Sequence, residues 1–406
     1  MKILFLHRFF PAQYRHVAAA LAADPANEVR FVAAEREAEP ADPRVRLSLY
    51  MRSRAAHPTT HHYLQFAENA VLHGQAAFRQ MRALAAEGFR PDVICAHAGF
   101  GPGMFAADAF PGVPIIAYAE WFYRARNSDA DFLPLGVDGG SAVSDDDACR
   151  LRLRNAGILV ELAAATRILS PTQFQRDQFP PGIRERIEVL HDGVDTEYFA
   201  PGPAGPVPGL AIPREAPLVT YATRGLDPYR GFPEFMRAAA ILLRQHPGLQ
   251  VAVAGEDKVF YGAQAPAGET WRSQMLKELP GLDTGRVHFL GALSLADYRA
   301  LLRRSTVHVY LTVPFVLSWS LIEAMATGAA IVASDTAPVR EAMRDGQEGL
   351  LAPFTSPEAI AARIARILST ESLRADLTRA ARMAALARYS RKSLLPQHVS
   401  VIESTQ

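Results

Sequence analysis

Arg224, Arg230, Ser318, Ser320 and Glu323 are the residues whose types and spacing say most about chemistry. Over 313–349 the chain reads VPFVLSWSLIEAMATGAAIVASDTAPVREAMRDGQEG, a loop followed by a helix that opens on Ser318-Trp319-Ser320. A Gly break, an apolar strand over 330–333 and a second, acidic helix start come next. A helix N-terminus offers unbonded backbone N–H groups and partial positive charge, which suits a phosphate. Glu323, one turn inside, could reach hydroxyls beyond the phosphates. Ser320-Leu321-Ile322-Glu323 is equally the S-x-x-E sequence of a capping box, which needs no ligand. Arg224 and Arg230 flank a Gly-Leu-Asp-Pro turn after a strand. Two guanidiniums there can neutralise a diphosphate and stabilise it as a leaving group; pairing with Asp227 and solvent is the plainer alternative. Phosphates at a cap and a carboxylate on a ribose or sugar make sugar-nucleotide chemistry.

The first half carries a second constellation. Glu120 follows Tyr118 at the end of an apolar strand and is flanked by Trp121, Phe122 and Tyr123. A carboxylate among aromatics needs a raised pKa or a charged partner, with Arg124 and Arg126 at hand. It could bind donor sugar or accept the proton of an acceptor hydroxyl. His97 lies in CAHAGFGPG, whose glycines allow close backbone approach to a ligand; a hydrogen-bonded turn histidine is the simpler reading. His7, Phe10, Gln13 and Tyr14 occupy the loop after the first strand and are acceptor-contact candidates, Phe10 alternatively for packing. Asp145, Asp146 and Asp147 precede a helix and read as its acidic start, not as a metal site. His61 and His62 are adjacent, lack the spacing of ligands on one helix face, and read as a helix start.

Elements to position these groups follow from apolar periodicity. Short apolar strands are expected over 2–6, 29–33, 45–49, 92–96, 114–119, 167–170 and 187–190, with helices over 16–23, from Thr59 or Thr60 to 86, and over 150–165. Alternation resumes with strands at 218–221, 250–254, 287–290 and 307–311, and helices at 233–244, 269–279, 296–303, 357–368 and 372–389. Between them, APGPAGPVPGLAIPREAP (200–217) is rich in Pro and Gly and reads as a linker. The pattern is α/β, with two doubly wound parallel sheets and ligands at strand C-terminal ends in a cleft between domains. The chain divides as 1–199, linker 200–216 and 217–386, with a C-terminal helix over 387–406 returning to the first domain.

Composition narrows the function classes. At 406 residues the chain suits two domains, and 49% hydrophobic with 21% charged residues is that of a folded protein. Net charge +1 gives no footing for nucleic acid. Two cysteines, Cys95 and Cys149, make no disulfide framework, so a reducing, cytoplasmic setting is expected. The N-terminal apolar run is too short for a signal peptide, and the uncharged stretch 305–322 holds His308, Pro314 and serines unsuited to a membrane span. Peripheral contact with the inner membrane face stays open.

Three segments then coincide. HDGVDTEYFAP (191–201), RGLDPYRGF (224–232) and LIEAMATGAAIVASD (321–335) resemble the NGVDxxxFxP, GR-x-x-x-x-KG and EAMAxGxPVVAs signatures of retaining glycosyltransferases of family 4. The resemblance implies the GT-B fold, two Rossmann-like domains facing each other across a cleft. It also implies transfer of a sugar from a nucleotide-diphosphate donor, the co-substrate, to a glycan or glycolipid hydroxyl with retained configuration. No metal or other cofactor is implied, because basic residues and a helix terminus hold the diphosphate. Polysaccharide biosynthesis is the implied setting. Donor contacts map to Arg224, Arg230, Gly291, Ser318, Trp319, Ser320 and Glu323, acceptor contacts to Phe10, Gln13 and Tyr14, and the reacting centre to Glu120, His97 and the two arginines.

Four departures accompany the match. The first Glu of the family's E-x-x-x-x-x-x-x-E pattern is Phe315 here, leaving Glu323 as the second. The Arg of the GR pair falls one place early, with Gly225 in the aligned position. Glu120 stands where the family has a donor-contacting His. HRFFPAQYRH replaces the Gly-rich turn after the first strand. Phe10-Pro11-Ala12-Gln13, Glu120-Trp121, Ser170-Pro171-Thr172 and HDGVDT are similar to a bacterial subgroup in which such departures are a shared trait. Two rivals remain at this point: a sugar-nucleotide epimerase and a non-catalytic sugar-nucleotide-binding relative or partner subunit.

Overall fold

A computed structural model describes residues 1–133 and 143–405. The chain forms two compact units: Met1–Arg126 with Ser144–Gly193 and Lys392–Gln406, and Asn127–Val143 with Val194–Arg391. The first boundary thus falls at Gly193, ahead of the expected 199. The segment read as a linker groups with the second unit, where Arg303 donates to Ala200 O at 2.8 Å and Arg304 to Pro213 O and Ala216 O at 2.8 Å.

Seven parallel strands build the first unit: β1 (Lys2–Leu6), β2 (Glu28–Ala33), β3 (Arg46–Leu49), β4 (Val93–His97), β5 (Ile115–Tyr118), β6 (Arg167–Ser170) and β7 (Ile187–Val189). Their order in the sheet is β3-β2-β1-β4-β5-β6-β7. β1, β4 and β5 are almost wholly buried, as their unbroken apolar runs require of a sheet covered on both faces. Order reverses between β1 and β4, whose register pairs Phe5 with Cys95 and Leu6 with Ala96. An open α/β sheet leaves a crevice at such a reversal, beyond the strand C-terminal ends. His7 and His97 stand there.

Helices α1 (Arg15–Ala23), α2 (Gln65–Ala86), α3 (Asp145–Arg154) and α4 (Ala156–Ala164) belong to this unit. α2 starts at Gln65, not at Thr59, Thr60 or the histidine pair; the Thr60 hydroxyl instead donates to Glu68. α3 opens with Ser144 as its cap and a capping box to Asp147, so the three acidic residues are a helix start. The helix expected over 150–165 is two helices, because Asn155 leaves the helix to bond Tyr123. Its Oδ1 accepts Tyr123 N–H at 2.8 Å and its Nδ2 donates to Tyr123 O at 2.9 Å.

The second unit repeats the plan with β8 (Leu218–Gly225), β9 (Gln250–Glu256), β10 (Val287–Gly291), β11 (Val307–Tyr310), β12 (Ile331–Ser334) and β13 (Leu350–Ala352). Sheet order is β10-β9-β8-β11-β12-β13, reversing between β8 and β11. Helices α5 (Phe232–Gln245), α6 (Leu295–Arg304), α7 (Trp319–Thr327), α8 (Pro357–Ser369) and α9 (Glu371–Tyr389) flank it. After Ser390 a last helix, α10 (Arg391–Glu403), carries the chain into the first unit, where Arg167 donates to Val401 O at 3.3 Å and Ile402 is buried with the β1 core. No helix among the described residues is long and apolar enough to cross a membrane.

Tyr221 of β8 and Phe235 of α5 stack at 4.7 Å, both fully buried, and hold helix and sheet together behind the Arg230 turn. Phe235→Ala should cost about 3–5 kcal/mol in chemical denaturation of the second unit. A loss below about 1 kcal/mol would show that this contact does not hold the layer.

Candidate functional site

At the C-terminal ends of β8, β9 and β11 lies a cavity of about 300 Å³. Arg224, Gly225, Asp227, Arg230, Tyr261, Tyr298, Tyr310, Ser318 and Ser320 line it, with Ala222, Thr223, Ala254, Gly255 and Leu293. It stands at the reversal point of the second sheet, where this fold type places ligands.

Arg230 is 8% exposed. Its Nη1 donates to Thr312 Oγ1 at 2.8 Å and Val316 O at 3.2 Å, with Tyr310 OH at 3.5 Å. The expected alternative, a pair with Asp227, is not what holds the guanidinium. Asp227 accepts backbone N–H groups from Arg230 at 3.1 Å, Phe260 at 3.3 Å and Tyr261 at 3.4 Å. Burial lifts the Asp227 carboxyl to about 6, opposed by the nearby Arg230 charge and by those N–H donors. Asp227 therefore shapes the turn, while the guanidinium keeps its charge toward the cavity.

Arg224 is exposed and stacks on Phe260 at 4.4 Å. Among the described residues neither guanidinium forms an ion pair. β8 runs four residues beyond its expected end, and its pairing with β9 shifts register between Ala222 and Gly225. Such a bulge re-aims a side chain, and it accounts for the early Arg. A Cβ at Gly225 would come within 2.4 Å of the Phe260 ring and 2.5 Å of Lys258 O, so only glycine fits the place aligned with the family's Arg.

α7 begins at Trp319, with Ser318 as its cap. Ser318 Oγ accepts Ser320 N–H at 3.3 Å and Ser320 Oγ at 2.9 Å, while Ser318 N–H donates to Tyr310 OH at 3.0 Å. The S-x-x-E capping box does not form, since the cap is two residues earlier than it requires. Glu323 is bonded instead to the Tyr298 hydroxyl, which also reaches Ser320 O at 3.4 Å. Burial pushes the Glu323 carboxyl up to about 7, and the Tyr298 bond draws it back. Tyr298 lines the cavity, so it joins Glu323 to the site; neither Tyr298, Tyr261 nor Tyr310 was singled out by sequence pattern, since a tyrosine near a strand end carries no spacing signal.

Two donor-side candidates stand outside the cavity lining. Trp319 is 42% exposed and absent from the lining, because the first residue of α7 falls on the helix's outer side. Gly291 is exposed at the end of β10, next to β9 at the sheet edge, and does not line the cavity. Phe315, in place of the first motif Glu, packs on Tyr229 at 5.8 Å and Tyr261 at 5.3 Å, with its ring 5.8 Å from the Arg230 guanidinium. An aromatic ring thus faces Arg230 at the position of that carboxylate.

In the first unit the sheet reversal brings together His7, Gln13, His97 and Glu120. Gln13 Nε2 donates to Glu120 Oε1 at 3.1 Å, and His97 Nε2 is 3.5 Å from Glu120 Oε2. Gln175, fully buried, donates to Glu120 O at 2.8 Å and fixes the backbone of that residue. His7 and His97 meet edge to face at 4.7 Å. His7 is held well below the usual imidazole range by burial and by His97, and its Nδ1 is engaged by the Phe9 backbone at 2.7–2.8 Å. Phe10, by contrast, is 1% exposed and packs on Phe31 at 4.8 Å, so it is core and not an acceptor contact. Tyr14 is likewise buried against Phe5 at 5.0 Å, with its hydroxyl in the interior. The 3₁₀ turn at Ala12–Tyr14 buries Tyr14 while Ala12 and Gln13 stay half-buried.

Comparison with known proteins follows the same division. Residues 25–199 match the family model of the glycosyl transferase family 4 group, and residues 208–384 that of glycosyl transferases group 1. The chain is 28% identical over 289 residues to a D-inositol 3-phosphate glycosyltransferase of Saccharomonospora viridis, covering 69% of this chain and 62% of the relative. It is 29% identical over 190 residues to a phosphatidyl-myo-inositol mannosyltransferase of Mycolicibacterium smegmatis, covering 46% and 44%. The matches thus span less than two thirds of these relatives. Anabaena HepE, solved in complex with UDP and glucose, has the same fold, with a TM-score of 0.70 at 17% identity over the whole of both chains. The two parallel-sheet α/β units are those of the GT-B class.

Glu323 supplies a test of this geometry. Its folded pKa of about 7 lies above the ordinary 4.5, so its contribution to stability is full below pH 4.5 and is lost as pH rises through about 7. Glu323→Gln should lose this dependence, so that wild type loses Tm relative to the variant between pH about 5 and about 8. Parallel Tm–pH curves would show Glu323 to be solvated, not held against Tyr298.

Proposed function

We propose that this chain, which belongs to the family 4 glycosyltransferases, moves a sugar from a nucleotide-diphosphate sugar to a hydroxyl of a glycan or glycolipid, with retention of anomeric configuration. One observation carries the reading: two guanidiniums with no carboxylate partner among the described residues line one cavity beside a helix start, at the reversal of a parallel sheet. That arrangement suits a diphosphate. Glu323 and Tyr298 lie beyond it, at the place for ribose hydroxyls. The Ser318 hydroxyl, which now bonds Ser320 N–H, would yield that donor to a phosphate oxygen.

In the proposed reaction the acceptor oxygen bonds to the anomeric carbon on the face that the leaving phosphate departs from. The bond from anomeric carbon to phosphate oxygen breaks, and the acceptor proton passes to that phosphate. Negative charge accumulates on the leaving diphosphate, so Arg230 and Arg224 stabilise the transition state more than the ground state. Their positive charge is the support for a metal-independent mechanism. Glu120, with Gln13 and His97, forms the acceptor side in the first unit. Two free cysteines, Cys95 and Cys149, suit a reducing cytoplasmic setting, with peripheral membrane contact where the acceptor is a lipid.

The names of the relatives, an inositol-phosphate glycosyltransferase and a phosphatidylinositol mannosyltransferase, support a hexose donor and a hydroxyl acceptor. Phe315 in the place of the first motif Glu favours one competing reading, a relative that binds a sugar nucleotide without turning it over. Turnover of UDP-, GDP-, ADP- and TDP-sugars in EDTA decides between them. One donor class should be consumed, and Arg230→Ala should lower its turnover about a hundredfold or more. Binding with no consumption of any donor in the presence of glycan or lipid acceptors would establish the non-catalytic reading.

A further inference from the structure

The glycine-rich turn after β4, residues 99–103, has the form of an anion-binding loop. Gly99 and Gly101 have φ of +109° and +99°, and consecutive N–H groups in such turns converge on a concavity. The concavity is already filled by the protein itself. Glu161, on α4 and buried, accepts Gly99 N–H at 3.1 Å through Oε1. Its Oε2 lies 2.6 Å from where a Cβ at Gly103 would stand. A Cβ at Gly101 would come within 2.0 Å of Ala70 O on α2, so the turn is wedged between α2 and α4. Burial lifts the Glu161 carboxyl to about 8 even against the N–H groups of Gly99, Gly101 and Gly103. Surroundings that penalise one carboxylate this far would penalise a phosphate more.

What the turn presents outward is Phe100. It is half-exposed, stacked on His97 at 5.0 Å, and edge-on to His7 at 5.4 Å and Phe9 at 5.9 Å. Beside it stands the Glu120 carboxylate with its Gln13 amide. His7 stays neutral, as derived above, and Arg8 is turned aside, over the Phe9 ring at 4.8 Å and paired with Glu35 at 3.0 Å. His97 is buried, and among the described residues neither ring nitrogen makes a hydrogen bond, Nε2 standing 3.5 Å from the Glu120 carboxylate, so its hydrogen-bonding capacity is unspent. An aromatic face fits the C–H face of a sugar ring, while a carboxylate and an amide fit its hydroxyls.

We infer that the first unit recognises an uncharged polyhydroxy acceptor, a sugar ring laid on Phe100 with hydroxyls to Glu120, Gln13 and His97, and discriminates against a phosphorylated one. Glu161 is the positioning residue that closes the turn to anions and sets Phe100 against His97. This rests on the glycosyltransferase reading and specifies the acceptor class for it.

Matched pairs test the assignment: methyl glucoside, methyl mannoside and myo-inositol against their monophosphates, titrated into the full chain without donor and followed by ligand-observed NMR. At least one uncharged member should bind at least about tenfold more tightly than its phosphate, the factor that about 1.4 kcal/mol of repulsion gives. Phe100→Ala should abolish that binding, and Glu120→Gln should narrow the discrimination. Glu161→Ala should weaken acceptor binding while the donor-induced rise in Tm stays as in wild type, and Glu161→Gln, which keeps an acceptor oxygen for Gly99, should restore it. The inference is overturned if a phosphate binds as well as its parent, if no uncharged member binds, or if Phe100→Ala has no effect. The same protein's Tm with nucleotide sugars separates the two levels: a shift retained in any of those cases leaves the glycosyltransferase reading intact, and its absence removes both.

Discussion

A guanidinium taken out of water and held by neutral partners is the constraint on which the second unit depends. Arg230 bonds a threonine hydroxyl and a backbone carbonyl, with no carboxylate among the described residues on its Nη groups. Desolvating a charge this way is costly unless the fold supplies fixed dipoles. Here the dipoles come from β11 and the loop after it, through Thr312, Val316 and Tyr310. The turn that carries Arg230 is fixed from its other end by Asp227, which takes three backbone N–H groups. Gly231, at φ +69°, lets the chain pass Leu311 and start α5 without a side chain in the way. The result is a preorganised positive charge, which needs no rearrangement when negative charge develops opposite it.

The two units solve one topological problem with different side chains. Each sheet reverses strand order beside its first strand and leaves a crevice at the C-terminal ends. In the second unit the crevice is lined by cations and a helix start. In the first it is lined by aromatics, a carboxylate and an amide, and its glycine turn is closed internally by Glu161. On the proposed reading, similar backbones thus separate an anion-holding side from a hydroxyl-holding side. The bulge at Ala222–Gly225 and the Asn155 break between α3 and α4 are local irregularities that aim Arg224 and anchor the segment after Glu120.

Much of the fold was legible because buried parallel strands are short apolar runs, and those runs are easily bounded. β6 over Arg167–Ser170 has the bounds expected for it, and the alternation of strand and helix follows the periodicity. Errors cluster where side chains override local pattern. Ser320 to Glu323 spells a capping box, yet Ser318 caps the helix because its hydroxyl reaches Ser320 N–H and frees Glu323 for Tyr298. Phe10 and Tyr14 sit in a loop whose composition looked available, but the 3₁₀ turn directs them into the core. Glu161 carried no motif, being one acidic residue in an apolar helix 62 positions from the glycine it bonds. Its one legible trace is the apolar run around it, where an unpaired carboxylate is out of place.

In the proposed function Arg230 and Arg224 hold the diphosphate of a nucleotide donor. Calorimetric titration of UDP, GDP and ADP against the corresponding monophosphates, in EDTA, tests it most directly. For at least one base the diphosphate should bind at least about tenfold more tightly than the monophosphate, and Arg230→Ala should bring the two to near equality. Equal affinities in the wild type, or a diphosphate preference that survives in Arg230→Ala, would contradict the account and place the phosphates elsewhere.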